Sequence, residues 1–292
     1  MKTAILIILS TFYVCAKAQT IQFIDKLNNL PVSYATVSWN GESTFTDETG
    51  TIVLGSGNVK QIKFSHICYN DTIISIAKGS QKVFVTPKSY TLDNVEICAK
   101  SCKKLKLKNV GLANSKTKFG FGGKNGMMMA LYIAHDNVNE TSYIHSIQAC
   151  LDYINEKIKN RNVIDAELRF DIRNCTFQNG KRLPGNQSYI NGGVVYKGKK
   201  KSGLKTIPLS HPIVFPKGGV FVTIEWICPG KSRNDVTNAG IKGTLQTSNV
   251  QTYTNESGKW ELIKDVDSIK RIVQEYLNGK YPNIKIGLQI SR

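Results

Sequence analysis

Leu30-Pro31-Val32-Ser33-Tyr34-Ala35-Thr36-Val37-Ser38-Trp39 is the stretch that decides the fold. From Val32 onward it is rich in β-branched and aromatic residues, the side chains that pack best on a pleated surface. Asn40-Gly41 follows, a pair in which positive φ costs little, so the chain turns back. Ser43-Thr44-Phe45-Thr46 then leads through Asp47-Glu48-Thr49-Gly50 into Thr51-Ile52-Val53-Leu54. Asp47 is placed to bond its local backbone and Gly50 to take the strained position, which is a hairpin pattern. The Asp47-Glu48 pair lacks further acidic partners and reads as turn chemistry, not as a calcium site or an acid–base dyad. Gly55-Ser56-Gly57-Asn58 is another turn, and the pattern predicts further strands over 61–65, 71–76, 82–85 and 95–98. Roughly seven short antiparallel strands without a helix predict a small β-sandwich.

Four landmarks in this region carry a resemblance. They are Leu30-Pro31-Val32-Ser33-Tyr34-Ala35-Thr36-Val37, Thr46-Asp47-Glu48-Thr49-Gly50, Ile62-Lys63-Phe64-Ser65-His66-Ile67-Cys68-Tyr69 and Leu92-Asp93-Asn94-Val95-Glu96-Ile97. Together they resemble the carboxypeptidase-regulatory-like domain of exported Bacteroidetes proteins, which also precedes the plug of many TonB-dependent transporters. The resemblance covers 20–99 and implies a seven-stranded, transthyretin-like sandwich, a folding module without chemistry of its own. It reaches only an accessory domain of carboxypeptidases and implies no metal-binding catalytic domain. One landmark departs from the family: Cys68 stands where glycine is usual before Tyr69.

Ahead of this region the chain reads as a secretory leader over 1–18. Lys2 is followed by Ala4-Ile5-Leu6-Ile7-Ile8-Leu9, an apolar run that reaches Val14, and Ala16-Lys17-Ala18 offers a small-x-small cleavage site. Gln19 would then begin the mature protein. The run is too short for a permanent span, and the bulky Phe12-Tyr13-Val14 argues against lipidation of Cys15. Export predicts a periplasmic, outer-membrane or cell-surface location and a mature chain without a transmembrane span.

Thirty-nine basic residues face 21 acidic ones, a formal net charge of +18. Export makes a nucleic-acid partner unsuitable, and an anionic envelope surface is the compatible one. The local run Lys100, Lys103, Lys104, Lys106 and Lys108 reads as a solvated basic linker over 100–116. Of the cysteines after the leader, Cys98 and Cys102 could bond to each other or to Cys68. Cys150, Cys175 and Cys228 lie in apolar or alternating runs and read as buried small hydrophobes.

From 117 to 292 the chain is again strand-dominated. Gly120-Phe121-Gly122-Gly123-Lys124-Asn125-Gly126 lacks the ending of a phosphate loop and precedes a strand instead of a helix. In 166–173, Leu168, Phe170 and Ile172 alternate inward while Glu167, Arg169 and Asp171 point outward. With Arg173 these charged residues read as a salt-bridged outer surface. Val220-Phe221-Val222-Thr223-Ile224-Glu225-Trp226-Ile227 is the strongest strand, and Ile284 to Ile290 closes the chain as another. Ile263, Val266, Ile269, Ile272, Val273, Tyr276 and Leu277 repeat at helical spacing before Asn278-Gly279, so one helix covers a sheet or an open end. Leu168-Arg169-Phe170-Asp171-Ile172, the 208–216 segment and Phe221-Val222-Thr223-Ile224-Glu225-Trp226 resemble the jelly-roll, galactose-binding-like sandwich that follows regulatory-like domains in such exported proteins. The helix departs from that family pattern.

The chemistry-bearing residues do not assemble in sequence. His66, His135, His145 and His211 show no metal or catalytic spacing, and no serine lies in a Gly-x-Ser-x-Gly elbow. No catalytic residue, metal ligand or cofactor is therefore named. The jelly-roll resemblance implies ligand binding through aromatics on loops or a concave face. Tyr189, Tyr196, Tyr253 and Trp260, all near turn residues, are the candidates, against the alternative that each packs a loop. Trp39 and Trp226 read as core. The expectation is a non-catalytic exported module that binds or scaffolds a glycan, an anionic envelope surface or a protein. A docking subunit of an outer-membrane transporter complex is the alternative, and a hydrolase whose site forms only in three dimensions is the third.

Overall fold

A computed structural model describes residues 19–55, 59–66, 68–77, 79–88, 106–135, 137–153, 163–231, 235–246, 252–256, 258–278 and 280–292. The protein is all-β, two sandwiches with, among the described residues, one short α-helix. Among the described residues no helix is long and apolar enough to cross a membrane.

The first sandwich has seven strands: β1 (Gln19–Asp25), β2 (Thr36–Trp39), β3 (Glu42–Phe45), β4 (Thr51–Leu54), β5 (Gln61–His66), β6 (Tyr69–Ser75) and β7 (Gln81–Val85). They form one sheet in the order β4-β1-β7 and another in the order β3-β2-β5-β6. Alternate residues turn inward, so Ile21, Phe23, Val37, Ile52, Leu54, Ile62 and Phe64 fill the space between the sheets. Phe23 and Phe64 stack there with centroids 4.9 Å apart. The Asp47 turn forms as the sequence suggests: its Oδ1 accepts the amides of Thr49 and Thr51. Gly50 has φ 72°, and a Cβ there would sit 2.7 Å from the Phe23 carbonyl oxygen.

One expectation is corrected. β1 belongs to the sandwich and lies at the centre of its sheet, and its pairing with β7 is parallel, not antiparallel. The strand expected at 95–98, together with Cys98 and Cys102, lies outside the described residues.

The second sandwich contains β8 (Lys108–Gly111), β9 (Phe119–Lys124), β10 (Met128–Ile133), β11 (Tyr143–Tyr153), β12 (Glu167–Gln178), β13 (Lys181–Ser188) and β14 (Val194–Val195). It continues with β15 (Gly203–Val214), β16 (Val220–Ile227), β17 (Val236–Gln246), β18 (Thr252–Asn255), β19 (Glu261–Leu262), β20 (Tyr281–Ile284) and β21 (Ile286–Ser291). One sheet runs β13-β12-β16-β10-β18-β19, with β14 also on β12. The other runs β20-β17-β11-β21-β8, with β15 on β11 and β9 on β17. The inward residues of β12 and β16 (Leu168, Phe170, Ile172, Val222, Ile224, Trp226) meet Ile147, Leu151, Ile241 and Leu288 from the opposite sheet. Trp226 donates its indole N–H to the Ala239 carbonyl at 2.7 Å. Gly123 lies directly against that indole, where any Cβ would collide with the ring. The glycine-rich segment is thus strand β9 making room for a tryptophan.

The expected linker is shorter than its composition suggests. Lys108–Gly111 pairs with β21, joining Lys108 to Ile290, and Ala113 is buried. Alternation over so few residues gives little signal. The helix, α1 (Asp267–Tyr276), follows a 3-10 turn at Ile263–Asp265, with Ile263 and Val273 buried. Nearby, the Asn283 side-chain carbonyl accepts the Thr252 amide and hydroxyl, tying β18 to β20 and the two sheets to each other.

Candidate functional site at the domain junction

Strands β12 and β16 pair antiparallel with Arg169 opposite Glu225 and Arg173 opposite Phe221. Their apolar residues face the core, so Arg169, Asp171, Arg173, Phe221, Thr223, Glu225 and Ile227 share the outer face. The first sandwich lies against one end of this face. Tyr34 and Phe45 join Ile227 in a small apolar cluster flanked by Val195 of β14. Arg169 sends Nε and Nη2 to Glu225 Oε2 at 2.9 and 2.6 Å. Its Nη1 reaches across to the Tyr34 carbonyl at 3.2 Å and meets His66 Nε2 at 3.5 Å. The side chains of this ion pair are only 11% and 10% exposed. That pair lies within the second sandwich; a more exposed one, Lys197 with Glu48 at 3.6 Å, crosses the junction.

Tyr34 has φ 57°, a left-handed conformation that is a strained outlier for a bulky residue. The surroundings fix it there. Its amide donates to the Thr46 carbonyl, its hydroxyl to Glu48, and its carbonyl takes the guanidinium of Arg169. Burial and the Glu48 carboxylate push the pKa of its phenol above the usual tyrosine range, making it a weaker acid.

Beyond Arg169 the face opens into a cleft of about 260 Å³, lined by both sandwiches. His66, Asp71 and Lys88 come from the first, and Met128, Arg169, Arg173, Asn186 and Glu225 from the second. Asp171 is buried beside it. Its Oδ2 accepts Arg173 Nε at 3.0 Å, and its Oδ1 accepts the Ser188 hydroxyl at 2.6 Å. Burial pushes the Asp171 carboxyl up, against the pull of Arg173 and Ser188. His66 is pushed down to about 3 by burial, with Arg169 and Lys88 adding repulsion, so its imidazole is neutral at pH 7. Burial likewise raises the Cys68 thiol to about 11, so it is no thiolate at neutral pH.

A second concave surface, a groove of about 760 Å³, lies on the other side of the junction. Trp39, Glu42, Phe45, Ile52 and Val53 form one wall, and the Pro229-Gly230-Lys231 turn closes it.

The four aromatic candidates do not converge on either surface. Tyr253 is buried, a correction to its expected exposure: β18 pairs it with Ala130, and its ring meets Phe221 edge-on at 5.4 Å. Trp260 packs into the same outer aromatic cluster, with Tyr132 and Leu262. Tyr189 and Tyr196 pack against the main core, and the Tyr196 hydroxyl donates to the Lys199 carbonyl. Each therefore holds a loop or strand on the sandwich.

The charged row on β12 is also corrected: only Glu167 keeps the role of a solvent-side residue, paired with Lys200. Arg169 and Asp171 are covered. The sequence held one signal for this. Glu225 sits in a run that is otherwise nearly all apolar, and a carboxylate there needs a partner. His66 and Arg169 are 103 residues apart, and nothing local in the sequence joins them. Compared with known proteins, the chain matches no family model and no curated protein.

Proposed function

We propose that this chain is a non-catalytic exported module that binds a glycan or protein partner on the concave surfaces between its two sandwiches. The observation that carries the reading is the junction itself: the buried Arg169 guanidinium, held by Glu225 of its own sandwich, bonds the Tyr34 carbonyl of the other, and both concave surfaces take residues from both domains. A rigid composite surface is preorganised for a ligand, so little ordering entropy opposes binding. Export rests on the leader pattern and on the regulatory-like resemblance.

The test is calorimetric titration of the mature chain with a panel of neutral and acidic oligosaccharides. Trp39→Ala and Arg169→Ala serve as probes of the groove and of the junction. Saccharide binding that either change abolishes supports the reading. Binding indifferent to both would move the ligand elsewhere, and no binding by any glycan removes the glycan arm.

A docking role is favoured by one observation. β3 and β4 are both edge strands, and both line the larger groove. Unpaired strand edges accept an extended segment of another protein as an added strand. Capture of a purified outer-membrane protein by the wild-type chain, lost on Val53→Pro, is the expected result. Equal capture by the variant would rule out the β4 edge.

A further inference from the structure

The two arginines of the junction differ in how much of their hydrogen-bonding capacity the protein uses. A guanidinium carries five N–H donors. Arg169 directs all three of its nitrogens at Glu225, Tyr34 and His66. Arg173 is nearly as buried, with its side chain 13% exposed, yet only its Nε has a protein partner, Asp171. Among the described residues its two Nη groups have none. These Nη groups face the cleft that Arg173 lines, so they are open to a charged acceptor from outside the chain.

Lys88 lines the same cleft, half-buried, and forms no ion pair among the described residues. The carboxylates nearby are already engaged. Asp71 accepts the Ser65 hydroxyl at 2.9 Å and lies 3.7 Å from Lys63, Glu225 holds Arg169, and Asp171 holds Arg173 and Ser188. What the cleft has unused is cationic donor capacity.

We propose that this cleft binds an anionic oxygen group, a carboxylate or a phosphate, on a unit about the size of one sugar, with Arg173 and Lys88 as its principal contacts. The volume of about 260 Å³ suits a single such unit. Asp171 holds the Arg173 fork in place through Nε, which leaves the Nη edge aligned for two parallel bonds to one anion. Asn186 adds an amide to the lining. The assignment rests on the binding reading above and names its ligand class.

The experiment titrates the mature chain at low salt with D-glucuronate, glucose 1-phosphate and glucose. At least one anion binds and glucose does not, and the stronger anion identifies carboxylate or phosphate as the recognised group. Arg173→Gln weakens that binding about tenfold or more, and Lys88→Gln weakens it about threefold. Lys270→Gln, on α1 and outside both concave surfaces, leaves it unchanged. Anions that bind no better than glucose overturn the proposal, as does wild-type affinity in Arg173→Gln. If Arg173→Gln fails to fold because Asp171 loses its partner, Lys88→Gln decides: unchanged affinity there overturns the site. An oligosaccharide that binds in a Trp39-dependent way while neither anion binds would sink this site and leave the broader binding reading standing.

Discussion

At the Ile227 end of the β12–β16 face the cover is another domain, and its contacts are a guanidinium-to-carbonyl hydrogen bond, an exposed ion pair and a small apolar cluster. At the Phe221 end the cover comes from the same sandwich, and its contacts are aromatic. There Tyr132, Phe221 and Tyr253 pack with Leu183, Trp260 and Leu262, and the Arg182 guanidinium stands 4.1 Å from the Tyr132 ring centre. Apolar burial is non-directional and scales with area, so it holds a hairpin down without fixing its angle closely. A guanidinium bonded at three nitrogens is directional, and it fixes how one sandwich sits on the other. The small cleft takes its lining from both sandwiches and none of it from the aromatic cluster.

The comparison can be broken most forcefully at the aromatic end. Phe221→Ala empties a fully buried position and should cost about 4 kcal/mol in urea unfolding of the second sandwich. A loss below about 1 kcal/mol would mean that the hairpin collapses into the space. Arg169→Ala should cost somewhat less, about 3 kcal/mol, because Glu225 is left buried without its partner. Its distinguishing sign is calorimetric: the unfolding peak should split as the domains uncouple, whereas Phe221→Ala leaves the coupling intact. One undivided peak in Arg169→Ala would assign the coupling to the Tyr34, Phe45 and Ile227 cluster.

The junction should also be acid-sensitive where the aromatic end is not. The His66 imidazole has a folded-state value of about 3 against an ordinary 6.5. Between those values the unfolded chain binds the extra proton, so the stability held above pH 6.5 is lost as pH falls toward 3. His66→Gln should flatten that slope relative to wild type in urea midpoints measured between pH 7 and pH 4, and equal slopes would exclude His66 as the cause. Smallest of all, Arg182→Ala should cost about 1 kcal/mol through the lost contact with Tyr132. An unchanged midpoint would reduce that contact to simple coverage.

Much of the architecture was legible from alternation. Leu168, Phe170 and Ile172 face the core, and 220–227 is a strand buried on both faces. Helical spacing placed α1 within a few residues. The covers were not legible, because alternation tells which side chains leave the core and is silent on what meets them. Arg169 and Glu167 look alike on β12, yet one is under another domain and the other pairs with a lysine at the surface. Tyr253 was misread because Asn255-Glu256-Ser257-Gly258 beside it has turn composition, while its pairing partner, Ala130, lies far off in sequence. β1 was missed beside the leader, where its short Ile21 and Phe23 alternation carries no turn signal of its own.

The strand pairings also set an order in time. β1 waits for β4 and β7 before its sheet exists, and β21 lies between β8 and β11, with Ile290 paired to both Lys108 and Ile144. Neither core is complete until its latest strand has been synthesised, and for the second sandwich that strand is residues 286–291. Contacts so distant in sequence make closure slow, and the emerging chain stays extended while its partners are still being made. Loss of β21 would remove a strand from the interior of its sheet, so a ribosome that stops short leaves no partial sandwich to rescue.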